Sequence, residues 1–266
     1  MQNTADIIGN APLPGDRSRV QRVILRDGVV WIKRYGTERT RLGQYLHLAL
    51  SKVLPLPFLR PSPQLSPPEM VLREINLIEK FRVRGFLAPN IVAAFDNVLV
   101  LGDAGETVAN RLKAIGKDAG ARNALLSQCA GELGQVHAKG LCHGRPHPRD
   151  MFIAGERIGF LDFEEDPVSV MPLAVAQARD MWLLSMQIAT VDGTDAVKAA
   201  YVAWKAMAPS AAVEELGKIV RILQPFLPIA RTIRRFMTAK DIYRFALATG
   251  YLAMLITADI DPNLGP

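Results

Sequence analysis

The first readable pattern in the chain is a pair of β-rich runs, residues 20–26 (VQRVILR) and 29–34 (VVWIKR). Asp27-Gly28 between them is the favoured two-residue hairpin turn. Residues 52–68 hold six prolines and read as an extended linker. A helix follows, with Ser66 at N-cap, Pro67 at N1 and Glu69 at N3, a capping-box pattern; its period runs to about Arg84, where Gly85 stops it. Met70, Leu77, Ile78 and Phe81 share the apolar stripe, and Glu74 falls on it too. A carboxylate there needs either a buried cationic partner or a place at the rim of the stripe.

Residues 91–101 (IVAAFDNVLVL) predict two short strands, and Gly102-Asp103-Ala104-Gly105 a loop. From Ala121 the pattern is helical, with Leu126, Cys129, Leu133, Val136 and His137 on one face and Gly140 at the end. Residues 151–154 and 158–162 form a hairpin about Gly155-Glu156-Arg157. Residues 173–190 are apolar almost all round, the mark of a buried helix. Three or four further helices follow, broken near Asp192-Gly193, Pro209, Pro228 and Asp241. The order gives an α+β fold, a small β-rich unit with one long helix before a mainly helical unit. Tyr45 to Leu50 adds a helix-like run, readable as a packed helix or as a substrate- or membrane-contacting insertion.

Composition narrows the setting. The 266 residues are 49% hydrophobic and 22% charged, a globular balance that suits one large or two modest domains. Two cysteines, Cys129 and Cys142, are too few for a disulfide framework. The start of the chain has no signal-peptide pattern. Of two apolar stretches, 42–59 is interrupted by His47, Lys52, Pro55 and Pro57, and 246–258 is too short to span a bilayer. The expected location is the cytoplasm, with a peripheral place at the inner membrane surface as the alternative. The net charge is +6. Basic residues gather at Lys33, Arg34, Arg39 and Arg41, and again at Lys218, Arg221, Arg231, Arg234, Arg235, Lys240 and Arg244. They are either solvated faces or an attraction to anionic ligands or an anionic membrane. Nucleic acid is not expected, because no interleaved aromatics or zinc spacing accompany the charge.

The candidate chemistry lies in residues 141–166, LCHGRPHPRDMFIAGERIGFLDFEED. Asp150 precedes the hairpin and Asp162 follows it, so a tight hairpin can bring the two carboxylates together, either to hold a divalent metal against phosphates or as turn acids that cap the hairpin. Several other segments fall in a telling order: Lys33 in VVWIKRY, Glu74 in LREINLIEKF, LVLGDAG at 99–105, LGQVHAKGLCHG at 133–144, FLDFEE at 160–165 and Asp180 in ARDMWLL. Over residues 20–190 this order resembles the protein-kinase-like superfamily, nearest to aminoglycoside phosphotransferases and the sugar kinases of the lipopolysaccharide core.

The resemblance implies a bilobal fold, with residues 1–104 as an N-lobe and 105–266 as a C-lobe. It also implies ATP with Mg²⁺ or Mn²⁺ as cofactors. Lys33 would pair with Glu74 and orient the phosphates, and Leu101 would lie at the hinge that receives adenine. Asp150 and Asp162 would bind metal, Asp180 would anchor the catalytic loop, His143 would brace it, and His137 would be core.

Two departures stand out. The family's loop reads HGDLHPGN, and here it reads HGRPHPRD, so Arg145 stands at the catalytic aspartate and Asp150 at the metal-binding asparagine. Arginine cannot accept a proton. Arg145 would act instead as an arginine finger, with His147 or Glu164 taking the acceptor proton. No glycine-rich loop precedes the first strand, and Arg17 and Arg19 sit where a phosphate clamp would be. The expected function is an atypical phosphotransferase acting on a small molecule, a lipid-linked sugar or a protein, with an anionic acceptor favoured by the charge. The alternative is a pseudokinase that binds nucleotide or serves as a scaffold. The oligomeric state is not readable from the sequence.

Overall fold

Alternating side chains pair β1 (Val20–Leu25) with β2 (Gly28–Arg34) in an antiparallel ladder. The computed structural model describes residues 18–25, 28–36, 56–228, 230, 232 and 240–260. Asp27, residues 45–50, Arg17, Arg39, Arg41, Arg231, Arg234 and Arg235 therefore lie outside the described residues. Gly28, expected in the turn, is paired with Leu25 inside the ladder. Strands β3 (Ile91–Phe95) and β4 (Val98–Gly102) complete an antiparallel sheet of order β1-β2-β4-β3. Val30, Ile32 and Val100 bury themselves on one face. Trp31, Lys33 and Tyr35 project from the other by the two-residue period.

Helix α1 (Pro67–Val83) starts at Ser66, whose amide donates to Glu69 Oε2 at 2.8 Å, so the capping box forms. Its buried face is Val71, Glu74, Ile78 and Phe81, with Met70 and Leu77 only partly buried. The stripe therefore sits one residue round from the expected one at its first turn. The proline-rich stretch before α1 is no free linker where it is described. Phe58 and Leu59 are buried, and Phe58 meets Trp182 edge-on at 6.3 Å.

After β4 a short helix α2 (Val108–Ile115) precedes α3 (Ala119–Ala138). The apolar period alone misses α2; Thr107, whose hydroxyl accepts from the Asn110 amide, is the cap that marks it. Strands β5 (Met151–Ala154) and β6 (Arg157–Phe160) form the expected hairpin. Then come α4 (Leu173–Ala189), α5 (Gly193–Met207), α6 (Ser210–Leu223) and α7 (Lys240–Ile260). Helices α3 and α5 pack closely at Gly134, where a Cβ would lie 2.8 Å from Met207 Cβ and 2.8 Å from the Trp204 carbonyl. The stretch 246–258 lies in α7, and among the described residues no helix is long and apolar enough to cross a membrane.

One apolar core runs from Tyr35 and Phe81 through the hairpin to Leu252. Two backbone bridges also tie the hairpin to the chain around the sheet, Leu87 with Gly159 and Thr107 with Phe152. These bridges hold the hairpin against the segments that follow α1 and β4.

Candidate functional site

The hairpin register explains where the two acids meet. Met151 pairs with Phe160, and the Leu161 amide donates to the Asp150 carbonyl at 2.8 Å, so Asp150 and Asp162 flank its open end. Among the described residues Asp162 is the one non-glycine residue with a positive φ, 64°. That conformation costs about 1 kcal/mol and marks a residue held by its surroundings. Phe163 beyond it is fully buried, 4.7 Å from Phe81 and 5.4 Å from His143 between ring centroids. Phe81 is two turns past Glu74 on the same face of α1, so this aromatic contact also sets the position of Glu74.

Lys33 joins the sheet to this loop. Its Nζ lies 3.0 and 2.8 Å from the Glu74 oxygens, 2.6 Å from Asp162 Oδ1 and 2.5 Å from Glu164 Oε1. Glu74 is fully buried and Lys33 is 5% exposed. The functional alternative for Glu74, an inward carboxylate with a cation, is thus the geometry present. Tyr35, on the same strand face as Lys33, donates its hydroxyl to Glu74 Oε2. Burial and the Glu74 carboxylate push the Tyr35 phenol far above its ordinary value. Burial pushes Asp162 up, but the charge and hydrogen bond of Lys33, helped by Arg145 and Arg19, outweigh it and hold the carboxyl below its usual range.

A second network fixes the loop backbone. Asp180, on α4 and fully buried, accepts the His143 amide at 2.6 Å and the Gly144 amide at 2.9 Å. Trp204 Nε1, which can only donate, points at His137 Nδ1 at 2.9 Å, so His137 Nε2 carries the proton that faces Asp180. His143 Nε2 meets the Leu161 carbonyl at 2.8 Å, tying the loop to the hairpin, and burial pushes its imidazole down. Gly144 has φ +99°, and a Cβ there would lie 2.9 Å from Glu165 Cβ, so a side chain is excluded.

The remaining sequence-named residues take distinct places. Asp150 is 8% exposed, and its Oδ2 is buried without a hydrogen-bond partner. Burial and the nearby Asp162 charge push it up to about 7. Arg145 reaches Asp162 Oδ2 at 3.7 Å and Glu165 Oε1 at 3.8 Å. His147 Nδ1 accepts the Arg149 amide at 3.0 Å, and burial plus Arg149, Arg244 and Arg145 push it down to about 4. Glu164, the other expected proton acceptor, is engaged by Lys33 and by Arg19. The geometry therefore leaves both of them poor bases.

Leu101 is buried on β4 opposite Trp31, whose indole donates to Asp103 Oδ1 at 2.7 Å. The amides of Gly102 and Asp103 already donate to Asn90 and Val29. Both of these hinge amides are therefore already satisfied within the protein.

Three contributors escaped the sequence reading. Tyr35 was legible from its strand parity with Lys33. Arg73, which donates to the Glu164 and Pro63 carbonyls at 2.8 Å, had no local signal. Nor did Arg179, which holds Glu165 at 3.1 Å.

The donor set suits a small hard cation. Asp150 and Asp162 lie near enough for the charge of one to act on the other, and Asp150 has an orphaned buried oxygen. Among the described residues no group of three or more His, Cys, Asp or Glu side chains is placed to hold a metal. A cation on Asp150 and Asp162 would complete its shell with phosphate oxygens and water, as Mg²⁺ does. No protein-family model matches the chain, and a search of curated proteins found no match.

Proposed function

We propose that the chain is a kinase-like phosphotransferase of bilobal form, with the sheet and α1 as one lobe and the helices as the other. The observation that carries this is Lys33 Nζ bound at once to Glu74 at 2.8 Å and to Asp162 at 2.6 Å. A buried ammonium shared by carboxylates from α1 and from the end of the hairpin is the arrangement a phosphate-binding lysine needs. In this reading ATP lies between the sheet and the hairpin, its base against Leu101 and its phosphates on Lys33. Asp150 and Asp162 hold Mg²⁺ or Mn²⁺, which when bound neutralises phosphate charge. The Asp180 network holds the loop still while phosphoryl transfer proceeds, and Glu74 and Tyr35 hold Lys33.

Transfer through a loose transition state depends chiefly on positioning and charge. A missing general base forfeits roughly 10²–10⁴-fold. The reading is therefore a slow transferase, and the net charge of +6 favours an anionic sugar, lipid-linked sugar or protein acceptor. The placement of Arg145 on Asp162 favours a second reading, a pseudokinase that binds nucleotide without transfer. Incubating the full chain with radiolabelled ATP, Mn²⁺ and fractionated metabolites or cell envelope separates the two. Label that moves with wild type and not with Asp162→Ala supports transfer. Nucleotide binding with no label moved, in any fraction, leaves the pseudokinase.

A further inference from the structure

Arg145 stands between two acids. Its Nη2 is 3.7 Å from Asp162 Oδ2 and its Nε is 3.8 Å from Glu165 Oε1. The other oxygen of Asp162 faces Lys33 at 2.6 Å, so both of its oxygens already look at cations. We propose that Arg145 is a tethered counter-ion for Asp162, and that a divalent cation binds the acid pair only as the guanidinium moves across to Glu165. This rests on the reading of Asp150 and Asp162 as cation ligands.

Four features support it. The pivot is fixed, because Asp180 holds the His143 and Gly144 amides immediately before Arg145. The arm is free, because the Arg145 side chain is 51% exposed and both of its ion pairs are long; such pairs hold weakly and yield readily. The alternative seat is built, because Glu165 is itself held by the buried Arg179 at 3.1 Å. A second acid lies within reach of the same charges, because Asp162 and Arg145 both act electrostatically on Asp150, which is 8% exposed and has a buried oxygen with no partner. One guanidinium brings a single charge to Asp162, whereas a divalent cation held by Asp150 and Asp162 would bring two, which is the difference that would drive the exchange.

The experiment titrates Mn²⁺ alone into the full chain and reads free Mn²⁺ by electron paramagnetic resonance, with circular dichroism to check the fold. Arg145→Ala and Arg145→Gln should tighten Mn²⁺ binding about fivefold, the most that a half-exposed charge is worth. Arg145→Lys, which keeps the charge, should stay within about twofold of wild type. Asp150→Asn should weaken binding in every background. Equal affinity in wild type, Arg145→Ala and Arg145→Gln overturns the counter-ion and leaves the cation site standing. Folded protein that takes up no Mn²⁺ in wild type or in any of the arginine variants overturns both the counter-ion and the cation site beneath it.

Discussion

A lysine sealed within a protein has to be met by carboxylates, because an uncompensated buried charge costs several kcal/mol. Lys33 has three such partners, Glu74, Asp162 and Glu164, and Glu74 has Tyr35 as well. Removing either member strands the other. Lys33→Ala or Glu74→Ala should each lower stability by about 3 kcal/mol in denaturant titration. The double replacement Lys33→Met with Glu74→Leu should recover part of that loss while nucleotide binding stays absent. Recovery of binding along with stability would mean the pair is only structural. Asp150 gives a pH signature. Its folded value of about 7 lies above its ordinary 3.8, so the folded chain keeps a proton that the unfolded chain sheds between those values. Stability from this group is therefore full at low pH and is lost as pH rises towards 7. With a chelator present, Asp150→Asn should be more stable than wild type by about 2 kcal/mol at pH 8, with the gain fading towards pH 4. His147 slopes the other way: its folded value of about 4 lies below its ordinary 6.5, so it destabilises as pH falls through that range. His147→Gln should remove that acid-side loss.

Element by element, contact geometry decides what the sequence could reveal. Helix α1 was legible because its start is written in local chemistry, Ser66, Pro67 and Glu69, and its inward glutamate breaks the apolar stripe. The hairpin and its two acids were legible because one tight turn fixes their register. Helix α2 was hidden because it is short and its apolar period is brief. Phe58 and Leu59 were hidden because prolines signal an extended chain and say nothing of what the chain packs against. Arg73 and Arg179 join residues far apart in sequence, so no spacing announces them. Gly134 shows the same limit, since only the approach of α5 reveals its purpose. Gly134→Ala gains about 1 kcal/mol of helix propensity but drives a methyl into Met207 and the Trp204 carbonyl. The clash should win, lowering the melting temperature; a rise would mean that α3 and α5 separate at little cost.

Across the whole molecule, an ion network spans the sheet, α1, the loop, the hairpin end and α4, from Arg19 and Lys33 through Asp162 and Arg145 to Glu165 and Arg179. Carboxylates and cations alternate along it, so an anionic ligand or a divalent cation entering at Asp162 changes the balance on both sides. A ligand that binds only the folded chain stabilises it by about 2.7 kcal/mol at a hundredfold excess over Kd. The most direct test is calorimetric titration of ATP with Mn²⁺ into the folded wild-type chain and into Lys33→Ala and Asp162→Ala. Saturable binding in wild type, weakened at least about tenfold in each variant, is the expected result. Folded wild type that gives no heat at millimolar ATP, or equal affinity in all three proteins, would contradict the nucleotide site proposed at Lys33.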